Sequence, residues 1–423
     1  MSGALRAAAQ LTADAHAALR RRMMFEFCKW DPQVGDVSAI APTPLLLDRR
    51  QWMRLAAMAE TLEAERIEAE RVLIARRDLH SRLGLPRCIR RALAAIREPV
   101  AAPGVRVTRY DFHDTTDGWR ISEANTDVPG GFIEASALAR LSADGLDGAE
   151  PPGDPTQRLA DRCAALVGPS AQVALVHATA YTDDRQVMVF LARQLEARGL
   201  GAHLIGPHQL RWREGVASMA TDWRSGPIDL IVRFFPAEWL PALPRGCGWR
   251  MHFAGARTPM CNPASAILTQ SKRFPLVWDA LGVALPTWRA LLPETREVRA
   301  ADWRSDRSWV VKPALGRVGD GVGVHGVTTA ERWKPIVRCI RRRPRVWIAQ
   351  RRFEALPVGV DGGWMYPSVG VFVIDGIAAG AYGRMAARPL IDDEAHDVAV
   401  LIARDAEVDV RRESRMHEPA GAV

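Results

Sequence analysis

The sequence predicts an α+β protein in which a helical N-terminal segment leads into strands that carry the chemistry. Three observations predict it. Apolar residues at helical spacing, in a background of Ala, Leu, Glu and Arg, fill 3–25, 49–80 and 87–97. Strand and helix patterns alternate from 151 to 235, as in a small α/β unit. Late β-branched runs at 309–312, 322–325, 346–350, 369–374 and 377–384 read as an antiparallel or mixed sheet.

Taken in order, the first hundred residues form a helical segment, closed by Pro99, Pro103 and Gly104. The strand at 105–112, the turn at 114–118 and the strand at 119–123 make a hairpin, which puts Asp111 and Glu123 on neighbouring strands. Pro129-Gly130-Gly131 breaks the chain before a helix at about 132–141. In the α/β unit, 173–177, 203–206 and 230–234 read as strands and 184–198 as an amphipathic helix. The stretch 263–281 reads as one helix carrying Lys272. Residues 405–423 are polar and read as a flexible tail. The resulting division is 1–100, 101–145, 146–262, 263–404 and 405–423.

Composition narrows the function. The chain has 423 residues, 48% hydrophobic and 25% charged, as in ordinary globular proteins. No apolar run approaches the roughly 20 residues that cross a bilayer, and Asp14 and His16 interrupt the N-terminal apolar residues, so a cytoplasmic protein without membrane attachment is expected. Six scattered cysteines show no metal spacing. The net charge of +8 is nearly all arginine and suits acidic small ligands; no basic stripe interleaved with aromatics points to nucleic acid. Arg341-Arg342-Arg343-Pro344-Arg345 reads as a solvated helix end. Only four lysines occur, Lys29, Lys272, Lys312 and Lys334, so a lysine retained here is a better functional candidate than usual.

Two segments carry candidate chemistry. Asp111, Glu123 and Asn125 offer hard oxygen donors suited to magnesium, and Arg109 shares the strand face of Asp111. An arginine there could meet a transferring phosphate, or form an ion pair with Asp111 or Glu123. Some two hundred residues later, Lys312 ends an apolar strand and runs into a loop with Gly316, Arg317, Gly319 and Gly321, whose backbone can approach phosphate oxygens closely. Gly321-Val322-Gly323-Val324-His325-Gly326 matches a dinucleotide fingerprint literally, but its β-branched residues read as a strand and not as a helix start. No Walker A or kinase motif is present.

These segments resemble the ATP-grasp synthetase region of glutathionylspermidine synthase and its shorter relatives, over about 105–400. The resemblance rests on Arg109-Tyr110-Asp111, Glu123-Ala124-Asn125-Thr126-Asp127, Pro236-Ala237-Glu238-Trp239, Asn262-Pro263 through Ser271-Lys272, Val311-Lys312-Pro313 with Gly316-Arg317, Ala349-Gln350, and Gly383-Arg384. In that family the metal hairpin precedes the phosphate-binding lysines, a circular permutation of the usual ATP-grasp order. The resemblance implies an ATP-dependent carboxylate–amine ligase working through an acyl phosphate, with ATP and two magnesium ions as cofactors. It implies metal ligands at Asp111, Glu123 and Asn125. ATP contacts would be Lys272, Lys312, Gly316, Arg317, Gly319 and Gln350, and catalytic arginines Arg109 and Arg384. Asp127 and Glu238 would face a substrate. The substrates implied are a peptide or amino acid and an amine, polyamines included; the oligomeric state is left open. Three departures stand out: a helical segment stands where the larger enzyme carries its amidase domain, Val128-Pro129-Gly130 replaces the serines that hold glutathione, and Met385-Ala386-Ala387-Arg388-Pro389 replaces a more polar run. Glutathione binding therefore does not carry over. Two rival readings remain: a non-catalytic ATP-grasp relative that binds nucleotide or a partner, and, more weakly, a basic nucleic-acid-binding protein.

Overall fold

A computed structural model describes residues 3–30, 33–34, 37–96, 104–317 and 319–403. The expected tail at 405–423 and the breaks at Pro99 and Pro103 lie outside the described residues. The architecture is α+β. The N-terminal segment is less uniformly helical than its pattern suggests. Helices Ala13–Glu26 and Arg49–Ala75 form, but Arg6–Ala7 and Leu45–Asp48 pair as strands, and Arg77–Leu83 tightens to a 3-10 helix.

Helix Arg49–Ala75 starts at Asp48, whose carboxylate accepts from the backbone of Gln51 at 2.6 Å. It buries Leu55, Ala59, Leu62, Ala69 and Leu73, and also three charged residues. Arg66 donates to Glu63 and to Glu70, each at 2.6 Å, the spacing of one helical turn. Glu63 also accepts from the Tyr110 hydroxyl at 2.8 Å, and Glu70 from Arg106 at 3.0 Å. A buried charge survives only when paired, and here the pairs fasten the helix to the back of the hairpin.

That hairpin, Val107–Thr115 and Gly118–Asn125, is one side of an antiparallel sheet. The order across the sheet is His396–Val398, Ile377–Ala386, Gly363–Ile374, Val107–Thr115 and Gly118–Asn125, with Val358–Val360 added to one end of Gly363–Ile374. Strand alternation sends Tyr110 and Phe112, both fully buried, into the core, and Arg109 and Asp111 to the opposite face.

The expected α/β unit is a four-stranded parallel sheet, Met260–Cys261, Leu230–Arg233, Gln172–Val176 and Gly201–Ile205. Helices Pro155–Val167 and Thr182–Glu196 belong with it, and a small antiparallel sheet covers 210–227. A further antiparallel sheet holds Thr295–Glu297, Trp347–Arg351, Trp309–Pro313 and Gly323–Val324. The literal dinucleotide fingerprint is thus part of a strand and its turns.

One expectation fails. The stretch 263–281 is not a continuous helix: it divides into 3-10 turns at Ala264–Ala266 and Phe274–Ala280 around a single α-turn, Ile267–Gln270. Pro275 cannot donate into a helix ladder, and Ser271 leaves helical geometry with ψ of 125°. Lys272 therefore projects from a bend, tied down by its backbone N–H to Ala314 at 2.9 Å.

Candidate functional site

The hairpin assembles a polar square. Asp111 lies opposite Glu123, and Arg109 opposite Asn125, so all four side chains occupy one face. Arg109 grips Asp111 with two bonds, Nε to Oδ1 at 2.7 Å and Nη2 to Oδ2 at 2.9 Å, and donates its Nη1 to the carbonyl of Gly130 at 2.6 Å. The Asn125 amide donates to Asp111 Oδ2 at 3.0 Å. Gly370 on the adjacent strand makes room for this pair: a Cβ there would sit 2.7 Å from Arg109 Cδ and 2.8 Å from Asp111 Oδ1.

The strand tip at Lys312 meets the same face. Lys312 Nζ donates to the carbonyl of Ser122 at 3.1 Å and to Gln350 Oε1 at 2.7 Å. Lys272 Nζ reaches Glu123 Oε2 at 2.9 Å and the carbonyl of Gly316 at 3.1 Å. The two segments, 190 residues apart in sequence, therefore touch. Together they line one cavity of 640 Å³.

The electrostatics follow from this crowding. Burial opposes ionisation of Glu123, but Lys272, Lys312 and Arg109 outweigh it and hold its pKa at about 2. Burial pushes Lys312 down to about 8, opposed by Glu123 and assisted by Lys272. His113, beneath them, is driven to about 4 by burial and by Lys312, so it is neutral near pH 7. Burial disfavours the charge on Arg109, yet Asp111 more than compensates and raises its pKa.

The remaining expected residues are placed as follows. Arg384 lines the cavity and donates Nη2 to the carbonyls of Asp392 at 2.8 Å and Ala395 at 3.0 Å. Arg317 pairs with Glu238 at 3.2 Å and lies over the Trp239 ring with its guanidinium 5.0 Å from the centroid, within the reach of a cation–π contact. Glu238 keeps one buried oxygen, Oε2, without a hydrogen-bond partner among the described residues, and burial together with Asp127 raises its pKa. Gly319 has φ of 70°, and a Cβ would strike the carbonyl of Ile391 at 2.6 Å, so the glycine loop packs closely on 391–392. Asp127 has both oxygens engaged, one by Arg233 and one by the Ala237 N–H at 2.8 Å. It anchors the turn bearing Glu238 and also lines the cavity.

Sequence reasoning missed a second cluster at the cavity wall. Lys29 pairs with Glu134 and, at 2.8 Å, with Asp397; Asp397 also accepts from the Tyr382 hydroxyl at 2.7 Å. The Tyr382 ring underlies the Arg109 guanidinium at 4.9 Å. Scarcity of lysine was a signal that applied equally to Lys29; Lys334, by contrast, is exposed on a helix.

Hard-cation ligands fit this site. Among the described residues, no group of three or more His, Cys, Asp or Glu side chains is arranged to hold a metal. Magnesium, however, is commonly held by only one or two carboxylates together with substrate phosphates. Two carboxylates and an amide oxygen facing a wall of cations match that requirement.

The model of the glutathionylspermidine synthase preATP-grasp family matches residues 28–403, nearly the whole chain. The chain belongs to the glutathionylspermidine synthase preATP-grasp family. Its ATP-grasp fold is α+β, and the hairpin-first order makes it the permuted form. A glutathione synthetase-like effector (GSS30) from Globodera pallida, solved in apo form, superposes over 92% of this chain and 98% of its own, with a TM-score of 0.60 at 13% identity. That likeness is one of fold. A putative gamma-glutamylcysteine synthetase from Methylobacillus flagellatus matches 77% of this chain and 82% of its own, at 12% identity and a TM-score of 0.40. No curated protein matches this member of the glutathionylspermidine synthase family significantly. Among the described residues of this family member, no helix is long and apolar enough to cross a membrane.

Proposed function

We propose that this protein is an ATP-dependent carboxylate–amine ligase that activates an acid as its acyl phosphate and releases ADP. The observation that carries the reading is the contact between the carboxylate-bearing hairpin and the two lysines. Lys272 pairs with Glu123 and Lys312 abuts Ser122 within one cavity. Oxygen donors for a cation and ammonium groups for phosphates are what a triphosphate with its metal requires side by side.

Each role follows from local chemistry. Asp111, Glu123 and Asn125 would hold magnesium, which neutralises phosphate charge. Lys272 and Lys312 would hold the phosphates, with Gly316, Arg317 and Gly319 letting the loop close over them. Gln350 orients the Lys312 ammonium through its Oε1. Arg109 and Arg384 would stabilise charge on the transferring group; arginines in that role contribute about 10³–10⁵ in rate. The cations and carboxylates of the wall hold one another in place through the Arg109–Asp111 and Lys272–Glu123 pairs. Transfer proceeds when the substrate carboxylate oxygen attacks the γ-phosphorus of ATP and ADP leaves. The amine then attacks the acyl carbon, phosphate departs, and the amine proton is lost. Glu238, with an unpaired oxygen and a raised pKa, supports an amine site at its end of the cavity. Peptides or amino acids, and amines including polyamines, are the substrate classes in keeping with the family.

The test is phosphate and ADP release from magnesium-ATP across a panel of acid–amine pairs, with amide product identified by mass. Magnesium-ATP binding without turnover on any pair would favour a nucleotide-binding relative without ligase activity.

A further inference from the structure

Arg384 and Asp397 face each other directly across two antiparallel strands, Ile377–Ala386 and His396–Val398. Opposite charges at such a position ordinarily close into a hydrogen-bonded ion pair. Here they do not. The nearest approach, Arg384 Nε to Asp397 Oδ1, is 3.9 Å, beyond hydrogen-bond reach. The Arg384 Nε is buried and has no hydrogen-bond partner among the described residues. A buried donor left unmade costs free energy and calls for an explanation.

The explanation lies in what occupies Asp397. Its Oδ2 accepts from Lys29 at 2.8 Å and its Oδ1 from the Tyr382 hydroxyl at 2.7 Å. Lys29 is itself buried and also paired with Glu134. Burial resists the charge on Asp397, but Lys29 and then Arg384 outweigh it and keep the carboxylate ionised. Each carboxylate oxygen is thus already held by another donor, and Arg384 is aimed instead by the carbonyls of Asp392 and Ala395. The same Tyr382 supports Arg109 from below, and a Cβ on Gly131 would lie 2.6 Å from the Tyr382 ring, so that ring has little room to move.

We infer that Lys29 is a positioning residue: by occupying Asp397 together with Tyr382, it keeps Arg384 from being captured by its cross-strand carboxylate and so holds the guanidinium at the cavity wall for the transferring group. This rests on the ligase reading for what Arg384 does, but the geometric claim stands independently. It also gives the N-terminal segment a task, because Lys29 follows helix Ala13–Glu26 and reaches a strand 368 residues later.

The experiment uses the full chain and three variants. In Lys29→Met, and in Tyr382→Phe, which keeps the ring and every charge, crystal structures should show Arg384 Nε drawn to Asp397 at about 3 Å. Turnover of magnesium-ATP should fall by about 10²-fold, the scale expected for a misplaced catalytic group, while the thermal shift produced by magnesium-ATP persists. In Lys29→Met/Asp397→Asn the capturing charge is gone, so Arg384 should return and turnover should recover despite an extra change in the core. A purely structural lysine predicts the reverse, a double variant worse than either single. An Arg384–Asp397 separation that stays near 3.9 Å in both single variants, or a double variant that fails to recover, overturns the inference. A wild-type protein that does not respond to magnesium-ATP removes the ligase reading instead, and the crystallographic distances still decide the role of Lys29.

Discussion

Replacing Lys312 by methionine should stabilise the free protein and abolish its response to nucleotide. The magnitude follows from the burial of the ammonium. Its pKa is about 8 in the fold, against roughly 10.4 in an unfolded chain, so the charged form costs up to about 3 kcal/mol at pH 7. Methionine removes that cost but strands two acceptors, the carbonyl of Ser122 and Gln350 Oε1, at about 1 kcal/mol each. A net gain of about 1 kcal/mol remains at pH 7. The sign then changes with pH. Below pH 8 the lysine is charged in both states and its full cost is present. Between about 8 and roughly 10.4 the unfolded chain binds the extra proton, so wild-type stability rises with pH while the variant, lacking the group, does not follow. Urea melts at pH 7 and pH 10 provide the assay, with magnesium-ATP added in parallel. The variant should be the more stable at pH 7 and lose that advantage by pH 10. A variant destabilised at pH 7, a difference independent of pH, or an undiminished shift with magnesium-ATP would refute the reasoning.

Other perturbations test different parts of the site. Asp111→Ala and Glu123→Ala should each abolish ADP formation while the circular dichroism spectrum is kept; unchanged turnover would count against both as metal ligands. Gly370→Ala should lower magnesium-ATP turnover by about 10²-fold, because its Cβ falls 2.7 Å from Arg109 Cδ, with an overpacking cost of about 1–3 kcal/mol visible in thermal melts. Arg66→Ala should cost about 3–5 kcal/mol by leaving buried Glu63 and Glu70 undercompensated; a loss below 1 kcal/mol in urea melts would show that water reaches those carboxylates.

Much of the site is legible in sequence because its chemistry is locally patterned. The Asp111–Glu123 hairpin combines strand alternation with a turn, and two-residue spacing places Arg109 and Asp111 on one face before any tertiary contact is considered. Lys312 is readable because an apolar strand leads into glycines. The stretch 263–281 was misread because apolar spacing looks helical even where a proline and a serine break the ladder. The cluster of Lys29, Glu134, Tyr382 and Asp397 carries no local signature at all: four single residues from distant segments meet only after folding. Likewise Glu63, Arg66 and Glu70 look like an exposed helical charge pattern, and their burial depends on a hairpin and a loop that no helix-level rule supplies.

The strand Val107–Thr115 has one of its two neighbours close by in sequence, Gly118–Asn125. The other, Gly363–Ile374, pairs Gly370 with Asp111 across 259 residues. On a ribosome adding about 5–20 residues per second, that gap corresponds to roughly 13–50 s between the emergence of the two partners. Throughout that interval the nascent hairpin presents an open row of amides and carbonyls to whatever else is in the cell. Separating two neighbouring strands of one sheet by this length of chain thus ties the completion of the sheet to late synthesis, and makes cover for the open edge in the interval an advantage.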